Sequence, residues 1–138
     1  MNQTAQRDDS RDVTGRVHRI AGQIFQAHFG EFCLTDSWLP AVNVYRLERR
    51  VEICVDLAGV DPHALEIRVE PGRLTLRGFR AAPEPHRQEE PMRIVTMEID
   101  HGPFLRVIQI PEQSDLPRIK TTYRDGFLWI HLPLRDPA

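Results

Sequence analysis

From Ala41 to the C-terminus, apolar and polar residues alternate in short runs. In RRVEICVDLAG, Val51, Ile53, Val55 and Leu57 fall on one side and Glu52, Cys54 and Asp56 on the other. That is the period of a strand with one buried face. ALEIRVE repeats it with Leu65, Ile67 and Val69 facing inward, Pro71-Gly72 supplies a tight turn, and RLTLRG returns with Leu74 and Leu76. VNVYRLE, FLRVIQI, RIKTTY and FLWIHL read as further strands, the last two joined by a hairpin turn at Asp125-Gly126, and MRIVTMEI carries one more short strand. All eleven prolines lie at or after Pro40, between these runs, where a missing N–H harms a sheet least. Several short strands at this spacing predict an all-β, antiparallel sandwich of the immunoglobulin-like kind.

Residues 1–39 follow a different pattern. Val13, Val17, Ile20, Ile24 and Ala27 recur every three or four positions, which predicts a helix started by Asp9 or Ser10 and ended by Gly30. Gly15 and Gly22 weaken it, so the arm is expected to be partly helical. FGEFCLTDSWLP then carries Phe29, Phe32, Leu34, Trp38 and Leu39 without a clean period. It either packs onto the domain as core or forms an exposed adhesive segment, and the pattern supports both. The chain thus divides into an arm (1–39), a β domain (40–134) and a short tail (135–138).

Composition narrows the function. At 138 residues, 41% hydrophobic and 28% charged, the chain is one domain's worth of soluble, globular sequence. A net charge of −2 gives no basic surface on which to expect nucleic acid. No apolar run is long enough for a membrane span, and the polar start lacks a secretory h-region, so a cytoplasmic location is expected. Cys33 and Cys54 have no CxxC spacing and are expected to be reduced. GxSxG, P-loop and HExxH motifs are absent, and the six histidines show no ligand spacing. Asp56, Asp61, Glu66 and Glu70 sit on polar faces or turns. The expectation is a non-enzyme with no cofactor and no metal.

Two motifs carry a resemblance. GPFLRVIQIP resembles the Phe-x-Arg-x-Ile-x-Leu-Pro signature of the small heat-shock proteins through Phe104, Arg106, Ile108, Ile110 and Pro111. TTYRDGFLWIHLP resembles their Ala-x-x-x-Asn-Gly-Val-Leu-x-Ile signature through Gly126, Leu128 and Ile130. There Asp125 stands for Asn, Phe127 for Val and Thr121 for Ala. Upstream, DLAGV and an LxLxGxR segment look like the opening strands of the same domain. The β region is identified as an alpha-crystallin domain of the bacterial and plant type.

The resemblance implies an ATP-independent holdase that binds unfolding client proteins and leaves refolding to ATP-driven chaperones. It implies client contact through Phe25, Phe29, Phe32, Leu34 and Trp38 of the arm. It implies a homodimer in which Met92–Met97 crosses to pair with VNVYRLE, with Val42, Val44, Tyr45, Met92, Ile94, Thr96 and Arg106 at the interface. It also implies a groove between the strand of Leu65, Ile67 and Val69 and the strand of Ile119 and Thr121. In the family that groove takes an Ile-x-Ile tail. Arg135–Ala138 contains no such motif, so small assemblies are expected, unless the arm places Val17, Ile20 or a similar pair in the groove. Two other readings stay open: a CS-domain-like co-chaperone acting through a sheet face, and an adaptor binding one peptide in its groove.

Overall fold

The computed structural model describes residues 11–12, 17–19, 38–86 and 89–136. Nine strands follow in order: β1 (Arg11–Asp12), β2 (Val17–Arg19), β3 (Val42–Arg46), β4 (Arg50–Asp56), β5 (Glu66–Glu70), β6 (Arg73–Arg80), β7 (Gly102–Gln109), β8 (Lys120–Arg124) and β9 (Phe127–Pro133). They form a five-stranded sheet, β1-β8-β9-β4-β3, and a four-stranded sheet, β2-β5-β6-β7. Every pairing is antiparallel except β2 with β5, which is parallel.

The alternation seen in the sequence decides the packing. Val51, Ile53 and Val55 of β4 and Leu128, Ile130 and Leu132 of β9 point inward from one sheet. Ile67, Val69, Leu74, Leu76, Phe104 and Ile108 meet them from the other, all buried. Phe104 is the largest side chain at the centre, fully enclosed. It fits because Gly78, its cross-strand partner, has no side chain: a Cβ there would stand 2.7 Å from the Phe104 ring.

The turns are set by backbone chemistry. Asp125 (φ 54°) and Gly126 (φ 81°) both take the left-handed conformation of the two-residue hairpin that joins β8 to β9. Pro71 leads into Gly72 (φ 82°) between β5 and β6, the arrangement of a type II turn. The turn after β4 is tied down by the Tyr123 hydroxyl, which donates to the Leu57 carbonyl at 2.9 Å.

Two expectations change. The arm helix does not hold at Val17, which lies in β2, and β1 and β2 place strand structure ahead of Ala41. The remainder of that expected helix lies outside the described residues. The physical reason is that β5 and β8 leave sheet edges with unpaired N–H and C=O groups, and a nearby extended chain satisfies them. In addition, Met92–Met97 forms no strand within the single chain; the described residues of the 81–101 loop are neither helix nor strand.

Candidate functional site

The sandwich has two long sides, and the structure treats them differently. On one side the edge strands are β8 and β5. Arg11 and Asp12 of the arm pair with Tyr123 and Thr122 of β8. Val17, His18 and Arg19 pair with Ile67, Arg68 and Val69 of β5. The described arm residues therefore pair with one edge strand of each sheet. The five residues expected to line a groove here, Leu65, Ile67, Val69, Ile119 and Thr121, are all buried. They belong to the core as much as to any groove.

On the other side the edges are β3 and β7. Among the described residues, no strand pairs with the outer edge of β3, and only Trp38 bridges to β7, at Phe104. Val44 and Tyr45 are 52% and 47% exposed on β3, while Val42 is half-buried against the core. Arg106 points between the sheets from β7, half-buried, and makes no ion pair or hydrogen bond with any described residue. The 81–101 loop leaves β6 and returns to β7 here. It carries Met92, Ile94, Val95, Met97 and Ile99 with exposures of 41%, 57%, 89%, 53% and 60%, and Thr96 is exposed with them. Burial of such side chains contributes about 1.5–3 kcal/mol each, and none of these achieves it within its own chain.

Of the residues expected to receive clients, Phe25, Phe29, Phe32 and Leu34 lie outside the described residues. Trp38 is half-buried against the core and does not form part of an exposed patch. Its ring meets Phe104 edge-on at 5.3 Å, and its Nε1 donates to the Gly102 carbonyl at 3.0 Å. The Arg80 guanidinium lies over the same ring, 4.0 Å from its centroid. Arg80 escapes a reading of the sequence, because a strand-terminal arginine looks like a solvated charge until its neighbours are known.

The outer face of the five-stranded sheet carries a polar and aromatic band. His131 Nδ1 lies 2.6 Å from Glu52 Oε1, and Arg50 Nε donates to the same oxygen at 3.0 Å. The Tyr45 and Trp129 rings stack at 6.3 Å. Cys54 sits opposite Trp129 and Asn43 on this face and is buried nonetheless. Burial, and then the Asp56 carboxylate, push its thiol above the ordinary value. Among the described residues, no group of His, Cys, Asp and Glu side chains is placed to hold a metal ion. No helix among them is long and apolar enough to cross a membrane.

The described residues thus form a two-sheet sandwich with an unpaired outer edge on β3, an exposed apolar loop, and two short arm strands on β8 and β5. The family model for the Hsp20/alpha crystallin family matches residues 44–138. This chain belongs to that family. It is 33% identical over 102 residues to the 18 kDa antigen 1 of Mycobacterium avium, covering 72% of this chain and 66% of the relative. It is 30% identical over 86 residues to an 18 kDa heat shock protein of Streptomyces albus, covering 62% of this chain and 58% of the relative. The alignments thus span about two-thirds or less of the curated relatives' length. Among solved structures, hspA from Xanthomonas axonopodis superposes with a TM-score of 0.63 at 29% identity, covering 74% of this chain and 99% of that one. Heat shock protein 16.0 from Schizosaccharomyces pombe does so with a TM-score of 0.64 at 27% identity, covering 74% and 92%.

Proposed function

We propose that this protein is an ATP-independent holdase chaperone of the cytoplasm, acting as a dimer that exchanges the 92–97 strand. The observation that supports it best is the apolar run Met92–Ile99, exposed in the single chain, together with an outer β3 edge that no strand among the described residues pairs with. A bare edge invites pairing, and a run of large exposed apolar residues marks a surface meant for another molecule. A second copy's loop supplies both the strand for β3 and cover for Val44 and Tyr45. Met92, Ile94 and Thr96 then approach the β3 edge, with Arg106 at the margin.

Clients are taken up by the arm, whose sequence concentrates the large apolar residues Phe25, Phe29, Phe32 and Leu34. Such binding needs no nucleotide. Covering about 1,000 Å² of client apolar surface yields on the order of 25 kcal/mol gross. Ordering and desolvation offset most of that, leaving weak, multivalent holding from which ATP-driven chaperones can draw. The pairing of β1 with β8 and of β2 with β5 supports a further role for the arm: it covers sheet edges at Thr122–Tyr123 and at Ile67–Val69.

The test is light scattering of several unrelated proteins heated with and without the full chain, in the absence of ATP. Suppression of aggregation across them is expected. Loss of suppression for all but one partner would favour a dedicated adaptor, and no suppression without an added ATP-driven chaperone would favour a co-chaperone.

A further inference from the structure

Arg80 is the last residue of β6 and pairs across the sheet with Gly102, the first of β7, so the two mark the points where the 81–101 loop leaves and returns. The Arg80 side chain crosses this base. Its Nε and Nη2 donate to the Asp100 carbonyl at 2.9 and 2.5 Å, and its Nη1 donates to the Ala58 carbonyl at 3.3 Å. Among the described residues, no carboxylate forms a salt bridge with it. Its charge is directed at two backbone carbonyls and at the face of Trp38. Trp38 in turn donates to the Gly102 carbonyl through Nε1, and its backbone N–H reaches the Pro103 carbonyl at 3.4 Å. The exit of the arm, both roots of the loop and the turn after β4 therefore converge on one stacked pair.

A planar fork with five N–H donors can bind two carbonyls while stacking on an indole; the ammonium of a lysine cannot do all three. The geometry points to Trp38 and Arg80 as positioning residues. They fix the direction in which the 81–101 loop leaves the sandwich, hold residues 92–97 ready for a second copy, and join the client-binding arm to the dimer strand. Pre-ordering the root lowers the entropy lost when the loop docks. It also means that displacement of the arm is felt at the loop. The effect on assembly rests on the strand-exchange reading above, whereas the clamp itself is a property of the single chain.

The test compares the full chain with Arg80→Lys and Trp38→Phe. Arg80→Lys keeps a cation near the indole without the fork. Trp38→Phe keeps an aromatic face without the donor. An Ile130→Val variant serves as the control for general destabilisation, since Ile130 lies in the core of the other sheet. Three quantities are read: thermal unfolding, hydrogen exchange at the residue-38 amide, which donates to the Pro103 carbonyl at the loop root, and subunit exchange between two fluorescently labelled populations. Both clamp variants should melt close to wild type yet speed hydrogen exchange at the loop root and raise the subunit-exchange rate about tenfold. Ile130→Val should lower the melting temperature without that rise. If wild type is a dimer and both clamp variants exchange subunits and amide hydrogens at its rates, the clamp assignment is overturned while the dimer stands. If wild type sediments as a monomer, the dimer reading has failed, and hydrogen exchange at the residue-38 amide decides the clamp alone: faster in the variants sustains it, unchanged refutes it.

Discussion

Gly78 and Phe104 illustrate how much of this fold depends on a single missing Cβ. The Phe104 ring fills the centre of the sandwich because its neighbour on β6 has no side chain, and the gap is too narrow for one. Gly78→Ala should push the ring off its rotamer or shift β6, at a cost of about 1–3 kcal/mol. Urea denaturation should show this as a lower midpoint with an unchanged slope. Cys54 makes a second prediction at this scale. Its thiol is pushed up in the folded state, so the folded chain holds that proton more tightly than the unfolded one. The stabilisation is complete below the ordinary thiol range and disappears as pH rises through the raised value of the folded state. In a Cys33→Ser background, Cys54→Ala should therefore flatten the alkaline fall in stability. Rapid alkylation of folded Cys54 at neutral pH would contradict its burial.

At the level of elements, the two sides of the sandwich call for different experiments. Removing residues 1–36 keeps Trp38 and the loop clamp but strips β1 and β2 from the edges of β8 and β5. Each lost backbone hydrogen bond is worth about 1 kcal/mol net. The domain should stay folded, because the buried cluster among the described residues runs from Val51 to Leu132. Hydrogen exchange should rise at Ile67–Val69 and at Thr122–Tyr123, and aggregation suppression should fall. Unchanged protection at those residues would show that the arm does not hold the edges in solution. The Asp125-Gly126 hairpin is favoured locally by its two left-handed residues, and the Leu57 N–H adds a tertiary hydrogen bond to the Gly126 carbonyl at 2.9 Å.

For the whole molecule the decisive element is the 81–101 loop. Deleting residues 83–97 removes the apolar run and any strand that could cross to β3. Sedimentation should then report a monomer, or an aggregate formed through the exposed β3 edge, in place of a dimer. A deletion variant that dimerises with wild-type affinity would rule out exchange of this strand. The same variant separates assembly from client binding. If holding resides in the arm, a soluble monomer should keep part of its activity per chain and lose the share that depends on two arms acting together.

The strand expected at Met92–Met97 does not form in the single chain, but the amino-acid sequence alone located strands β3–β9, their buried faces and their turns. Those are local matters: period-two alternation assigns Val51, Ile53 and Val55 or Leu128, Ile130 and Leu132 to one face, and glycine or proline at a turn limits φ within a residue or two. Its two motifs also indicated the family. Alternation does not reveal what lies beside an edge. Val17 looked helical by its spacing, yet β5 offered its backbone a better partner, because an unpaired sheet edge outweighs a glycine-weakened helix propensity. The pattern around Trp38 fitted core packing and an adhesive segment equally, and its contacts with Gly102, Phe104 and Arg80 come from far along the chain. Which edge stays bare, which is covered and where the loop root is clamped were decided only in three dimensions, because each depends on backbone groups and side chains that meet only when the two sheets close on each other.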